Sequence, residues 1–234
     1  MASPISITLD EVKTVVAWAE RALKRGLKPQ ELQPSIDDPA QLDRILRYIR
    51  NGAPEMQEFP GIVFDAEKMC RILDKTIRAN GPCPTAAPGT RIVYCDGWTL
   101  QDLRCSKAGL EKMWQDQDWY DTFAWKAEPG YYEVLLPVPF SNNMTMEEEV
   151  EHLHRTYPGF EPAPVPVADT ALLAEYAETG KDPLSGNIIR CAEQTRPGFR
   201  VVLRVLDGRV CVNCHWGDYR SGHVFLAAAR RISS

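Results

Sequence analysis

No stretch of this 234-residue chain approaches the ~18 consecutive apolar residues of a membrane-spanning helix. Met1 to Thr8 lack the basic start and apolar middle of a secretory leader. There is no glycine-rich phosphate loop, no Gly-x-Ser-x-Gly nucleophile elbow and no His-Glu-x-x-His zinc helix. Positive charge is in deficit: 27 Lys and Arg stand against 32 Asp and Glu, a formal net charge of −5. Nucleic-acid binders draw affinity from surplus Lys and Arg, so nucleic acid is disfavoured as a partner. Histidine is scarce at 4 residues, and no internal repeat is visible. These absences remove the membrane, exported, phosphate-loop and familiar hydrolase classes. They leave a cytoplasmic protein with no implied cofactor.

Disulfides are not expected either. The 7 cysteines are odd in number and scattered at 70, 83, 95, 105, 191, 211 and 214. Without a leader, that pattern reads as reduced thiols.

The motif that stands out is Cys211-Val212-Asn213-Cys214-His215. Cys-x-x-Cys-His spells a c-type haem attachment site, and Cys-x-x-Cys alone suggests zinc or a redox pair. The flanking residues read differently. Phe199 to Leu206, Asp207-Gly208 and Arg209 to Trp216 spell a β-hairpin with a two-residue turn. The turn sets the ladder: Leu206 opposite Arg209, Val205 opposite Val210, Leu203 opposite Val212, Val201 opposite Cys214 and Phe199 opposite Trp216. Strand residues three apart point to opposite faces, so Cys211 and Cys214 could not grip one haem or one metal. The expectation is a buried row (Val201, Leu203, Val205, Val210, Val212, Cys214 and Trp216) and a wet row (Arg200, Arg204, Cys211 and His215). Haem is excluded on this reading. A zinc or thiol-redox site at Cys211, Cys214 and His215 stays as the alternative, and it would require this segment to be a turn.

Upstream, Thr8 and Glu11 box the start of one helix, which ends near Gly26. Asp38-Pro39 opens a second, which runs to Asn51-Gly52. A third is expected from about Asp65 to Asn80, with Gly81 as its stop. The proline- and glycine-rich loop from Gly81 to Thr90 suggests a division into a helical region, 1–84, and a mixed region, 85–234. Arg91 to Cys95 reads as a strand, with a capping box at Thr99 and Asp102 after it. Tyr131 to Leu136 follows as a strand, then a helix boxed by Thr145 and Glu148. The acids of that helix's first turns, Glu147 to Glu151, complement its dipole. Pro158 to Pro166 reads as an extended spacer, followed by a helix from Asp169 to Thr179 that Gly180 stops. Asn187 to Glu193, the two hairpin strands and His223 to Ile232 complete the chain. Helices first and strands last imply an α+β fold ending in an antiparallel β-meander.

Two surfaces are candidates for recognition. Trp114, Trp119, Tyr120, Phe123 and Trp125 fall close together, interleaved with Asp116, Asp118 and Asp121. Such rings anchor sugars or protein partners, or else form a packing hub. Arg200, Arg204, Arg209 and His215 share the polar side of the hairpin, with Arg220 in the next turn, and arginine suits carboxylate and phosphate. A solvated strand face is the plain alternative. His152 and His154 lie two apart on a helix and cannot form a metal pair. A nucleophile drawn from Cys83, Cys95 or Cys105 with His215 or His223 has no local motif behind it, so a hydrolase-like enzyme is only a third option. The pattern Pro129-Gly130-Tyr131-Tyr132, with a strand-rich tail holding Trp216, Asp218-Tyr219-Arg220 and Gly222, resembles bacterial proteins of no assigned activity and implies no function. The leading expectation is a non-catalytic interaction or assembly protein, engaging a protein partner or itself through Trp119, Tyr120, Trp125, Arg200, Arg204 and Arg209.

Overall fold

Nine strands and six helices make up residues 61–77 and 82–232, the parts that the computed structural model describes. In chain order they are β1 (Ile62–Phe64), α1 (Ala66–Leu73), β2 (Arg91–Cys95), α2 (Leu100–Arg104), α3 (Lys107–Lys112), α4 (Trp119–Thr122), β3 (Gly130–Leu135), α5 (Met146–Thr156), β4 (Glu161–Pro162), α6 (Val165–Thr179), β5 (Ile188–Arg196), β6 (Phe199–Leu206), β7 (Arg209–Trp216), β8 (Val224–Leu226) and β9 (Ala228–Arg231). The two helices expected before residue 60, and the expected stop at Gly81, lie outside the described residues.

The strands form two mixed sheets, so the class is α+β. The first has the order β1-β2-β3-β9-β4 and the second β7-β6-β5-β8. β1 runs parallel to β2 and β8 parallel to β5, while every other pairing is antiparallel. β1 and α1 precede residue 85, yet they pack with β2.

α6 packs against both sheets, meeting β2, β3 and β9 of the first and β5 and β7 of the second, and is also covered by α1, α2 and α3. It is buried without interruption from Val165 to Ala174, the behaviour of a helix with no polar face. The small side chains of Ala227, Ala228 and Ala229, all buried, let the chain cross from the second sheet to the first beside it. At that crossing Ala227 N–H donates to Arg190 O (2.9 Å), and Ala227 O accepts from Ala163 N–H (2.8 Å). A smaller core gathers Leu135, Val138, Met146, Leu153, Phe160 and Leu226 under α5.

Local signals in the sequence act as they read. The Thr99 and Thr145 capping boxes both form, and Gly180 ends α6 with a left-handed φ of 68°. The hairpin closes with every expected pair in register, from Leu206↔Arg209 to Phe199↔Trp216. Its turn residues Asp207 and Gly208 both take positive φ (47° and 76°), the geometry a two-residue turn needs to match strand twist.

Four expectations are corrected. α1 stops at Leu73 rather than Asn80, because Asp74 adopts the left-handed conformation (φ 52°) and turns the chain out. The supposed spacer before Asp169 holds edge strand β4 and the first turn of α6. Pro166 fits there because a first-turn residue has no intrahelical N–H bond to lose. The supposed strand from His223 to Ile232 is two strands in two sheets, so the meander is β5-β6-β7 and does not end the chain. Within the hairpin, Trp216 is 55% exposed, Val205 and Cys214 are half-buried and Cys211 is buried at 6%. The cause is where the hairpin is covered. Glu193 of β5 receives the N–H of Val165, the first residue of α6, so the helix begins there. The β5–β6 pairing continues past Glu193 to Arg196↔Phe199. Phe199 and Trp216 thus extend beyond the helix that buries Val201 and Leu203.

Candidate functional site

The hairpin has two unlike faces. One carries Val201, Leu203, Val210 and Val212 into the core with α6. The other carries Arg200, Arg204, Arg209, Cys211, Asn213 and His215, as strand alternation requires.

That second face is held from three directions. Arg190 of β5 pairs across to Val202, and its guanidinium is fully buried. Arg190 Nη1 donates to Glu149 Oε2 on α5 at 2.6 Å, and Nη2 donates to Tyr219 O at 2.7 Å. Neither side chain of the ion pair meets solvent. Burial pushes the Glu149 carboxyl up to about 8, while the Arg190 charge pulls against it. The Tyr219 contact fixes the loop after β7, and His215 stacks on the Tyr219 ring (centroids 5.2 Å, planes 10° apart). At the rim, Arg220 Nη2 donates to Glu148 Oε1 at 2.7 Å. That bond is the main cause holding the Glu148 carboxyl below its ordinary value. Burial holds His215 below the ordinary imidazole value, with the positive charges of Arg190 and Arg204 adding to it. The imidazole is thus neutral at pH 7.

Arg190 and Arg220 are matched by acids, but the other arginines on this face are not. Arg200 donates to the backbone oxygen of Ala192 at 2.6 Å and makes no ion pair among the described residues. Arg204 is half-buried between Ile188 and Cys211, and its buried Nε has no hydrogen-bond partner. Arg209 is exposed beside the turn.

The outer edge of β7 is closed by a segment that is not a strand. Trp114 N–H donates to Val210 O at 3.0 Å. The Gln117 amide then takes the place of a neighbouring residue: Val212 N–H donates to its Oε1 (2.9 Å) and its Nε2 donates to Val212 O (2.9 Å). The same Nε2 lies 3.2 Å from Cys211 Sγ, so Gln117 covers the cysteine that alternation alone had placed in solvent.

The aromatic cluster divides. Tyr120 is buried in the main core and donates to Gln117 Oε1 at 3.1 Å, so it has no surface to offer. Trp119 and Trp125 are half-buried and stack on either side of Phe123, at 5.6 and 4.4 Å between centroids. Trp119, Phe123 and Trp125 sit beside Asp116, Asp118 and Asp121, all exposed and without an ion pair among the described residues.

The register sends Cys211 and Cys214 to opposite faces, and among the described residues no group of three or more His, Cys, Asp or Glu side chains is placed to hold a metal. His152 is buried with Nε2 2.9 Å from Pro139 O, and His154 faces Glu161 at the surface. An open depression of about 340 Å³ beside α3 is lined by Leu73, Lys75, Cys105, Lys107 and Leu110, away from these groups.

Sequence reasoning missed Arg190, Glu149 and Gln117. A signal existed for two of them. Glu149 falls on the α5 stripe of Met146, Val150 and Leu153, where an acid needs a buried cation. Arg190 occupies the strand position opposite Val202. Gln117 has no local signature, because its role depends on a strand that follows ninety-odd residues later in the chain. Compared with protein-family models, curated proteins and solved structures, the chain has no significant match.

Proposed function

We propose that this chain is a non-catalytic interaction protein that docks an acidic partner on the arginine-bearing face of the β6–β7 hairpin. The observation that supports it is Arg204. Its guanidinium is half-buried with no acid beside it among the described residues, and a partly desolvated charge is costly to keep unless a carboxylate or phosphate pairs with the part that still meets solvent. Arg190 and Arg220, close by, each have their acid, so the surplus charge is local to Arg200, Arg204 and Arg209. Arginine's planar fork suits a carboxylate in two-point contact. Neutral His215 and the Tyr219 ring, 46% exposed, supply a flat border of the kind that anchors interfaces.

A fluorescent oligo-glutamate peptide tests this by anisotropy. The expected result is binding that weakens with added salt and is lost in R200E/R204E, while circular dichroism of the variant is unchanged. Absence of binding to the native chain, or equal binding by the variant, overturns the proposal.

A further inference from the structure

We infer that the acidic partner is a second copy of this chain, and this rests on the reading just given. Arg200, Arg204 and Arg209 form one half of a complementary pair of surfaces, and the other half lies on the same molecule. Asp116, Asp118 and Asp121 are all exposed and bear no ion pair among the described residues. They alternate with Trp119, Phe123 and Trp125, whose stacked rings keep part of their surface in solvent. Tryptophan, tyrosine and arginine are the residue types that dominate interface energy, and both surfaces supply them beside charge.

The positions of the two surfaces make self-pairing the natural outcome. Gln117 clamps the aspartate-bearing segment onto the edge of β7 through Val212, directly beside the arginine face. Within one chain the two patches are neighbours but do not meet. No ion pair joins any of these three aspartates to any of these three arginines. A two-fold axis near the β7 edge lays the aspartates of each copy on the arginines of the other, and both contacts form twice. This isologous arrangement is the commonest way in which a chain pairs with itself.

Sedimentation of the full chain over a concentration series is the test. The native protein is expected to dimerise, with affinity falling by about tenfold or more on going from low to high salt. The variants R200E/R204E and D116K/D118K/D121K should each be monomeric, because each carries like charges on both patches. An equimolar mixture of the two should form a one-to-one heterodimer, since lysine then meets glutamate and aspartate meets arginine. That rescue also shows that both variants are folded. Oligo-glutamate should dissociate the native dimer. A native chain that stays monomeric, or a dimer that survives in either variant, overturns the inference. If the monomer still binds oligo-glutamate through Arg200 and Arg204, the proposed function stands without it. If neither dimer nor peptide binding is seen, both fall.

Discussion

Helices α5 and α6 each bury a carboxylate, and the two are treated differently. α5 presents one apolar stripe, caps itself with Thr145 and Glu148, and buries Glu149 against Arg190 at 2.6 Å. α6 has no polar face and no side-chain cap of its own, and its first N–H is received by Glu193 of β5. Its Asp169 is wholly buried with neither oxygen hydrogen-bonded. Burial alone pushes that carboxyl up to about 7. Burial raises both acids, but one was buried with a cation that pulls against the rise and the other was buried with none. The paired acid orients a surface, since Arg190 goes on to hold Tyr219. The unpaired acid orients nothing visible among the described residues.

Breaking the pair should have the largest effect. Arg190→Met leaves Glu149 buried without its cation and should cost about 3–5 kcal/mol in a urea melt at pH 7. Arg190→Met with Glu149→Gln should recover much of that loss. An R190M chain as stable as the native one would mean that the buried pair adds nothing net to stability.

Asp169 sharpens the contrast through pH. Its folded value of about 7 lies above the ordinary 3.8, so the folded state holds the proton more tightly than the unfolded state. Its contribution is therefore complete below about pH 4 and is lost as pH rises through about 7. Glu193, pushed up to about 7 by burial, acts in the same direction. Asp169→Asn should remove a decline of about 2–4 kcal/mol between pH 4 and pH 8, read from melts at intervals across that range. An unchanged slope in the variant would place the titration elsewhere.

Capping gives a smaller effect. Thr145→Ala should destabilise by about 1 kcal/mol, since it removes one arm of the α5 capping box. The smallest change is expected at the end of the hairpin. Trp216→Ala should cost less than about 1 kcal/mol, because the ring is 55% exposed and packs on Phe199 at the open end of the hairpin, with 3.9 Å between ring centroids. A loss as large as that of a core tryptophan would show that this end is covered in solution.

The register of the hairpin was fully legible because its information is local. A two-residue turn sets the register, and the alternation of apolar and polar residues then assigns each side chain to a face. The capping boxes and Gly180 were legible for the same reason. Trp216 and Cys211 were assigned the right faces but the wrong exposure. A face says which way a side chain points, and not whether another element lies over it. The split of His223 to Ile232 was hidden because a strand that changes sheets keeps its apolar character on both sides of the crossing. Of the candidate surface, Arg200, Arg204 and Arg209 were visible in the sequence, whereas the partners that set off the unmatched arginines from the matched ones were not.

By itself, then, the sequence determined the α+β class, the caps, the hairpin register and the division of Cys211 from Cys214. All of these follow from interactions within a turn or between strands joined by a tight loop. Only the tertiary structure decided that α6 packs against both sheets, that Gln117 covers Cys211, that Glu149 meets Arg190 and that Arg204 is left without an acid. Each of those depends on groups far apart in the chain, whose meeting is selected by packing rather than by any local pattern.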